Sequence, residues 1–527
     1  MTRRAYLWLF VAGLGVNLIV AFFQNSAGYM DADYYYAGGI RLAQGHGFSE
    51  LLLWNYLDDP QALPHPSHGY WYPLASVIAA AGIKLTGSTS YGAARLGSIL
   101  IGAMVAPLTA ALAFRLNRRT DLALAAGALG LFPTFLTAFL PVTDNYGLYM
   151  VLGAAFFLLL DQGRSASALF AGICAGLMNL SRSDGLLWAG AGLVFILASR
   201  NPQDSSDFGE GKVRSWGAAR VLPAMALFLA GYALVMGPWF ARNYSAWGTL
   251  LARGGSQALM LRDYADTFAY PASRLTSEYL LASGSQAILA ARLVALLANL
   301  NTTLTVQIGI FLLPFALAGL WTLRRETIIQ VSFLIWLGLI TSMSLLFPFA
   351  GPRGSFSHAG AALYSVWWST AVAGVAAIVT WAEARGRLAL AARKNLLLFA
   401  LVALNALISG FLVYTRIGPL DWDRFDRVYR AAEAQIVRDG ASPGTAVLVI
   451  NPPAYFTANR RAAIMIPDEN VAKLRVLADK FDAGYLILER GHLGEGGLEQ
   501  LYDSPESDPS FDYIGQVEDA RIYRILP

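Results

Sequence analysis

Runs of apolar residues, each interrupted by a short polar stretch, recur along most of this chain. A helix that crosses a bilayer needs roughly 17 to 25 mainly apolar residues. That criterion predicts crossings at 5–24, 91–114, 122–140, 147–161, 165–180, 185–199, 221–240, 304–323, 327–347, 359–381 and 395–414. Two of these, 147–161 and 165–180, are short for a bilayer and predict tilt, thinning or a funnel cut into one leaflet. The stretch "WYPLASVIAAAGIKLTG", 71–87, competes for a crossing, but admitting it would invert every later loop. It reads as a short re-entrant or surface-lying helix that keeps Lys84 wet. After residue 415 the period changes. Short buried strands are predicted at 445–451, 462–467 and 483–489, a helix at 470–481, and a closing hairpin from 511–517 and 520–526. The expectation is an α-helical polytopic membrane protein of about 11 transmembrane helices followed by a small C-terminal extracytoplasmic α/β domain. Its transmembrane domain covers 1–415 and includes a first outer loop at 25–90, and the α/β domain covers 416–527.

Charge placement orients these spans. Arg3/Arg4, Arg115/Arg118/Arg119, Arg164, Arg200/Lys212/Arg214/Arg220, Arg324/Arg325 and Arg385/Arg387/Arg393/Lys394 fall on alternate loops. The positive-inside rule assigns those loops to the cytoplasm. The N-terminus is then cytoplasmic, the C-terminal domain extracytoplasmic, and the expected location is the plasma (inner) membrane. The start of the chain is read as an uncleaved first helix, because its apolar part is of spanning length and no small-residue cleavage signal follows. Composition agrees: 56% of the 527 residues are hydrophobic and 14% charged, so lipid is the main solvent. No polybasic patch of the nucleic-acid-binding kind is present, and the single cysteine, Cys174, excludes an intrachain disulfide.

On this topology, successive outer turns carry acids. Asp31 and Asp33 follow the first span in "MDADYYYAGG", Asp144 lies in "PVTDNYG", and Asp184 in "NLSRSDGLLW". Acids gathered at one membrane depth predict a functional site. Capping explains any one of them, since Asp31 can cap a helix ending at Gly45 and Asp184 precedes a span, but not the set. Cations accompany them on the same side: Lys84, Arg182, Arg242 in "GPWFARNY", and Arg353 with His358 in "GPRGSFSHAG". Such groups near helix ends suit a lipid phosphate, while single arginines at a membrane edge also snorkel to headgroups. A divalent cation, Mg or Mn, is one use for Asp31, Asp33 or Asp144. Residues i and i+2 point the same way only on a strand, however, and no His/Cys ligand spacing supports a metal. Tyr34, Tyr35 and Tyr36 serve either as a sugar-binding wall or as interfacial anchors.

These motifs, in this order, resemble the GT-C superfamily of membrane glycosyltransferases, which includes the protein O-mannosyltransferases and the aminoarabinose transferases that modify lipid A. The resemblance rests on the acid after the first span with "YY...A..LAQGHGF", on "WYPL" before a short helix and "AARLGSILIGAMVAPLTAALAFRL", and on "TDNYG", "LSRSDGLL" and "PWFARNY". It covers the chain to about residue 360, and the trailing α/β domain is similar to that of many bacterial relatives. Two departures are an Asp-Ala-Asp where many relatives have Asp-Glu, and no tyrosine after the arginine of "GPRGSFSHAG".

The resemblance implies transfer of a sugar from a polyprenyl-phosphate donor to an acceptor (protein, lipid or glycan) on the outer face, with inversion. It implies Asp31, with Asp33 as its alternate, as general base, and Asp144 as a further catalytic acid. Arg182, Arg242, Arg353, Lys84 and His358 would bind donor phosphate, and Tyr34, Tyr35 and Asp184 sugar or acceptor. A polyprenyl-linked glycan flippase is the rival reading. It predicts ionisable residues near the midplane and balanced halves, and the sequence shows neither.

Overall fold

The computed structural model describes residues 1–199, 218–386, 393–467, 471–493 and 498–526; Arg200, Lys212, Arg214 and Arg387 lie outside the described residues. Among the described residues, seven helices are long and apolar enough to cross a membrane: Arg3–Phe22, Tyr91–Asn117, Ala219–Trp247, Ser285–Ile308, Thr327–Leu346, Gly351–Glu383 and Lys394–Ile417. Six apolar helices are shorter. The protein is therefore α-helical and polytopic, with a small sheet near its C-terminus. Where eleven full crossings were expected, four of the predicted segments form the helices Thr120–Leu131, Tyr146–Leu160, Ser165–Ser181 and Gly185–Ala198. At 1.5 Å per residue these run roughly 18–26 Å, less than the ~30 Å of a hydrocarbon core.

The predicted span 304–323 is corrected. Its helix begins at Ser285, breaks at Gly309, where φ is 86°, and resumes as Leu313–Thr322. Arg292, Asn299 and Asn301 interrupt the apolar run, which is why the periodicity placed this stretch outside. The segment 71–87 forms the helix Leu74–Thr86, whose 13 residues are too few to span.

The chain divides into two compact units. The first comprises Met1–Phe22, Ser98–Arg242 and Ala290–Arg416. Its helices approach through small residues, as expected where lipid supplies no hydrophobic drive and close backbone contact must. A Cβ on Gly374 would lie 1.8 Å from the Phe315 carbonyl oxygen, and one on Gly319 1.8 Å from that of Thr370. Gly172 and Gly231 similarly bring Ser165–Ser181 against the long helix Ala218–Trp247. At one end of this unit Arg115 pairs with Asp161 and lies 3.6 Å from Glu326, and Lys394 pairs with Asp121. Loops predicted to share a side thus meet.

The second unit comprises Phe23–Gly97, Asn243–Leu289 and Ile417–Pro527. The strands are β1 (Ser49–Glu50), β2 (Leu52–Leu53), β3 (His65–Pro66), β4 (Ala446–Val449), β5 (Ala463–Met465), β6 (Ala483–Glu489), β7 (Phe511–Val517) and β8 (Ala520–Ile525). Six of them form one sheet in the order β2-β5-β4-β6-β8-β7, parallel from β2 to β6 and antiparallel from β6 to β7. All four residues of β4 are buried, as a central parallel strand covered on both faces requires. Val447 and Val449 face Tyr429 of the helix Arg424–Arg438, while Leu448 joins Tyr34, Tyr35, Trp54 and Tyr56. The first outer loop, assigned from sequence to the membrane domain, therefore shares this unit and its sheet with the C-terminal segment. It enters through β2, two residues too short to leave a periodic signal.

Candidate functional site

Two groups of polar side chains lie in these units, and each is built by its own. In the first unit, "PVTDNYG" turns the chain into the helix Tyr146–Leu160, with Asp144 just before it. That places Asp144 at the opposite end of this helix from Asp161. Asp144 is buried; its Oδ1 accepts the Asn145 backbone N–H at 2.6 Å and its Oδ2 meets His358 Nε2 at 2.9 Å. The other ring nitrogen, Nδ1, donates to the Gly354 carbonyl at 3.0 Å. Both bonds coexist only when the ring carries both protons or the carboxylate carries one. Tyr146 stacks on the imidazole with centroids 3.8 Å apart. Gly354 has φ 116°, a conformation reserved in practice for glycine, and this turn aims its carbonyl at His358.

The next turn joins the same cluster. Arg182 Nε donates to Asp184 Oδ1 at 2.8 Å, and a terminal guanidinium nitrogen donates to the Ser355 carbonyl at 3.1 Å. Tyr149 donates to Asp184 Oδ2 at 3.1 Å. Asp184 stands at the N-cap position of Gly185–Ala198 but makes no capping bond; its carboxylate is spent on Arg182 and Tyr149. The acids and cations of three predicted outer turns, 141–146, 181–184 and 348–358, are thus brought together at one end of the first unit. Arg353 lies in the last of these turns and is exposed. Arg242 lies on Ala218–Trp247, its guanidinium 4.9 Å over the Trp239 ring.

In the second unit the helix runs Met30–Ala43 with Tyr29 at its N-cap, two residues earlier than a capping Asp31 implies, and closes at Gly45 with φ 86°. Asp31 and Asp33 both occupy its first turn. Successive helical positions diverge by about 100°, so Asp31 is partly exposed while Asp33 is 4% exposed. That divergence does not fit a shared divalent cation, and among the described residues no group of three His, Cys, Asp or Glu side chains is placed to hold one.

Asp33 Oδ1 accepts from Thr457 at 2.7 Å, on the helix Pro452–Asn459. Burial pushes its carboxyl up to about 7, nearby Asp426 adds to the rise, and the Thr457 hydrogen bond opposes it. Asp33 also lines a pocket of 470 Å³. Tyr34 and Tyr35 are buried in the sheet's core, with the Tyr34 hydroxyl donating to Glu50 at 2.8 Å. Tyr36 is the member of the row that lines the pocket. Lys84 is exposed in the last turn of Leu74–Thr86. Sequence reasoning did not find Asp426, Arg430, Thr457 and Arg460, which complete this pocket. The one available signal was the polar "TANRR", 457–461, which closes the short helix Pro452–Asn459 and runs just past it.

No protein-family model matches this chain, and no curated protein matches it in sequence. Among solved structures, ArnT from Cupriavidus metallidurans bound to undecaprenyl phosphate is 13% identical over 99% of this chain and 98% of its own, with a TM-score of 0.58. The archaeal oligosaccharyltransferase AglB from Archaeoglobus fulgidus, in complex with an inhibitory peptide and a dolichol-phosphate, is 12% identical over 91% of this chain and 69% of its own, with a TM-score of 0.49. The likeness to ArnT, running through nearly all of both chains, is a likeness of fold.

Proposed function

We propose that this chain, a member of the GT-C superfamily by fold, is a glycosyltransferase that uses a polyprenyl-phosphate sugar donor. Transfer would take place on the extracytoplasmic face of the plasma (inner) membrane, with the C-terminal domain on that face. The observation that carries this reading is the cluster of buried Asp144, His358 and Asp184 with the partly buried Arg182 at one end of the helical unit. Charged side chains are costly among apolar helices and are kept there for function.

Attack at an anomeric carbon with inversion needs a base within hydrogen-bond reach of the acceptor. Asp31 is given that role because it is partly exposed and stands in the first turn of a helix, whose positive end favours negative charge. Asp33 is the alternate and Asp144 a supporting catalytic acid. The departing polyprenyl phosphate needs positive charge held ready rather than a proton. Arg182 supplies it, oriented by Asp184 and the Ser355 carbonyl. His358, Arg242, Arg353 and Lys84 are the further cations assigned to the donor phosphates. Asp184 acts on this reading through Arg182, and Tyr34 and Tyr35 through the shape they give the helix Met30–Ala43. The acceptor is a protein, lipid or glycan.

The test is transfer of radiolabelled sugar from polyprenyl-phosphate donors by membranes carrying Asp31→Asn. The expected loss is on the order of a hundredfold or more, with the melting temperature of the purified variant unchanged. Undiminished transfer removes Asp31 from the mechanism, and loss with Asp33→Asn alone moves the role to Asp33. No transfer by the wild type, joined to loss of lipid-linked glycan translocation in its absence, would establish the flippase reading instead.

A further inference from the structure

The 470 Å³ pocket of the second unit falls within the range of about 300–1,000 Å³ typical of small-molecule sites. Its charged lining residues are Asp33, Asp426, Arg430 and Arg460. Arg430 is matched by the bidentate Asp426 pair, both bonds 2.8 Å, and donates again to the Ala458 carbonyl at 3.0 Å. Arg460 donates to the Tyr36 hydroxyl at 3.2 Å, and Tyr36 in turn to the Thr89 carbonyl at 2.5 Å. A phosphate would find both guanidiniums already engaged by protein partners, and among the described residues the aliphatic lining open to a lipid tail is Ala27 and Ala458.

What remains suits a ring bearing several hydroxyls. Planar carboxylate and guanidinium groups can meet adjacent hydroxyls in pairs. Tyr36 and Tyr91, edge to face at 5.2 Å, offer aromatic surface to carbon-bound hydrogens. Ser26, Ser88 and Ser90 add hydroxyls to the wall. The walls are fixed before any ligand arrives. Asp423 holds the backbone N–H and side chain of both Asn25 and Ser26, and Thr457 holds Asp33 Oδ1. Among the described residues no hydrogen bond engages Asp33 Oδ2.

We propose that this pocket binds a neutral sugar residue, a part of the acceptor other than its reacting hydroxyl or amine. The acceptor assignment rests on the glycosyltransferase reading; the sugar binding itself does not. The acceptor is thereby a glycan or a glycan-bearing molecule.

The experiment is titration of the full chain in nanodiscs with neutral trisaccharides of hexose, N-acetylhexosamine and deoxyhexose, beside inorganic pyrophosphate. At least one trisaccharide should bind. Ser88→Trp, which fills the pocket from its exposed rim, and Arg430→Gln should each weaken that binding by roughly tenfold. Ser507→Trp, on an exposed turn away from the pocket, should leave it unchanged. The two pocket variants make the result independent of whether either one folds. The proposal is overturned if no trisaccharide binds up to tens of millimolar, if the pocket variants bind normally, or if they abolish pyrophosphate binding instead. Asp31→Asn separates the two readings. Normal trisaccharide binding with transfer lost supports both. Transfer that depends on Asp31 with no trisaccharide binding removes the pocket alone, and binding without any transfer removes the transferase reading alone.

Discussion

At Asp33, burial sets the chemistry of a single carboxyl. An unfolded aspartate titrates near about 3.9, whereas here the group is pushed up to about 7. Between those values the folded chain keeps a proton that the unfolded chain has lost, so stability falls as pH rises through this window, by about 4 kcal/mol in all. Asp33→Asn cannot ionise. Its melting temperature relative to wild type should therefore climb between pH 4 and pH 7, approximately, and level off above; a flat difference would show that burial does not control this group. A second prediction concerns Arg182. With side chains 11% and 3% exposed, Arg182 and Asp184 are buried together, and Arg182→Met leaves a carboxylate without its partner. The expected cost is about 3–5 kcal/mol, recovered in large part by adding Asp184→Leu, as thermal unfolding of the single and double variants can measure. The charged members of this cluster were legible in the sequence because each lies in a short turn between apolar runs. Their partners were not: His358 and Asp144 are 214 residues apart, and nothing local announces that they bond.

Packing decides what whole elements tolerate. Helices Leu313–Thr322 and Tyr364–Glu383 touch backbone to backbone at Gly319 and Gly374, while Gly410, on Lys394–Ile417, has open space where a Cβ would go. Gly374→Ala should destabilise by about 1–3 kcal/mol. Gly410→Ala should be neutral or stabilising by up to about 1 kcal/mol, through helix propensity. Melting temperatures in one detergent compare the two directly. Apolar runs and strand alternation gave away most elements, among them β4, β5, β6 and the β7–β8 hairpin. Failures came where polar residues interrupt an apolar helix, as Arg292 and Asn299 do, and where an element is too short to have a period, as β2 is. The amphipathic helix Arg424–Arg438 escaped because its charged face hides the row of Val428, Tyr429, Ala432 and Ile436 that it buries.

For the molecule as a whole, the second unit ties distant parts of the chain into one core. Tyr34, Trp54 and Tyr56 from the first outer loop are buried with Leu448, Ile464 and Leu486 from beyond residue 440. A chain ended after Arg416 therefore exposes a row of large aromatics and should aggregate in detergent, read as a void-volume peak in gel filtration. A monodisperse truncated protein would show that the loop folds alone. Composition told of lipid and hydropathy told of the helices, but this shared core had no trace in either. Leu52 of β2 pairs with Ala463 of β5, some 410 positions later. At a synthesis rate of about 5–20 residues per second, the ribosome needs tens of seconds to supply that partner. Strand β2 must wait, unpaired, until β5 has been made, so the pocket that Asp33 and Thr457 share can form only long after the helix that carries Asp33 has left the ribosome.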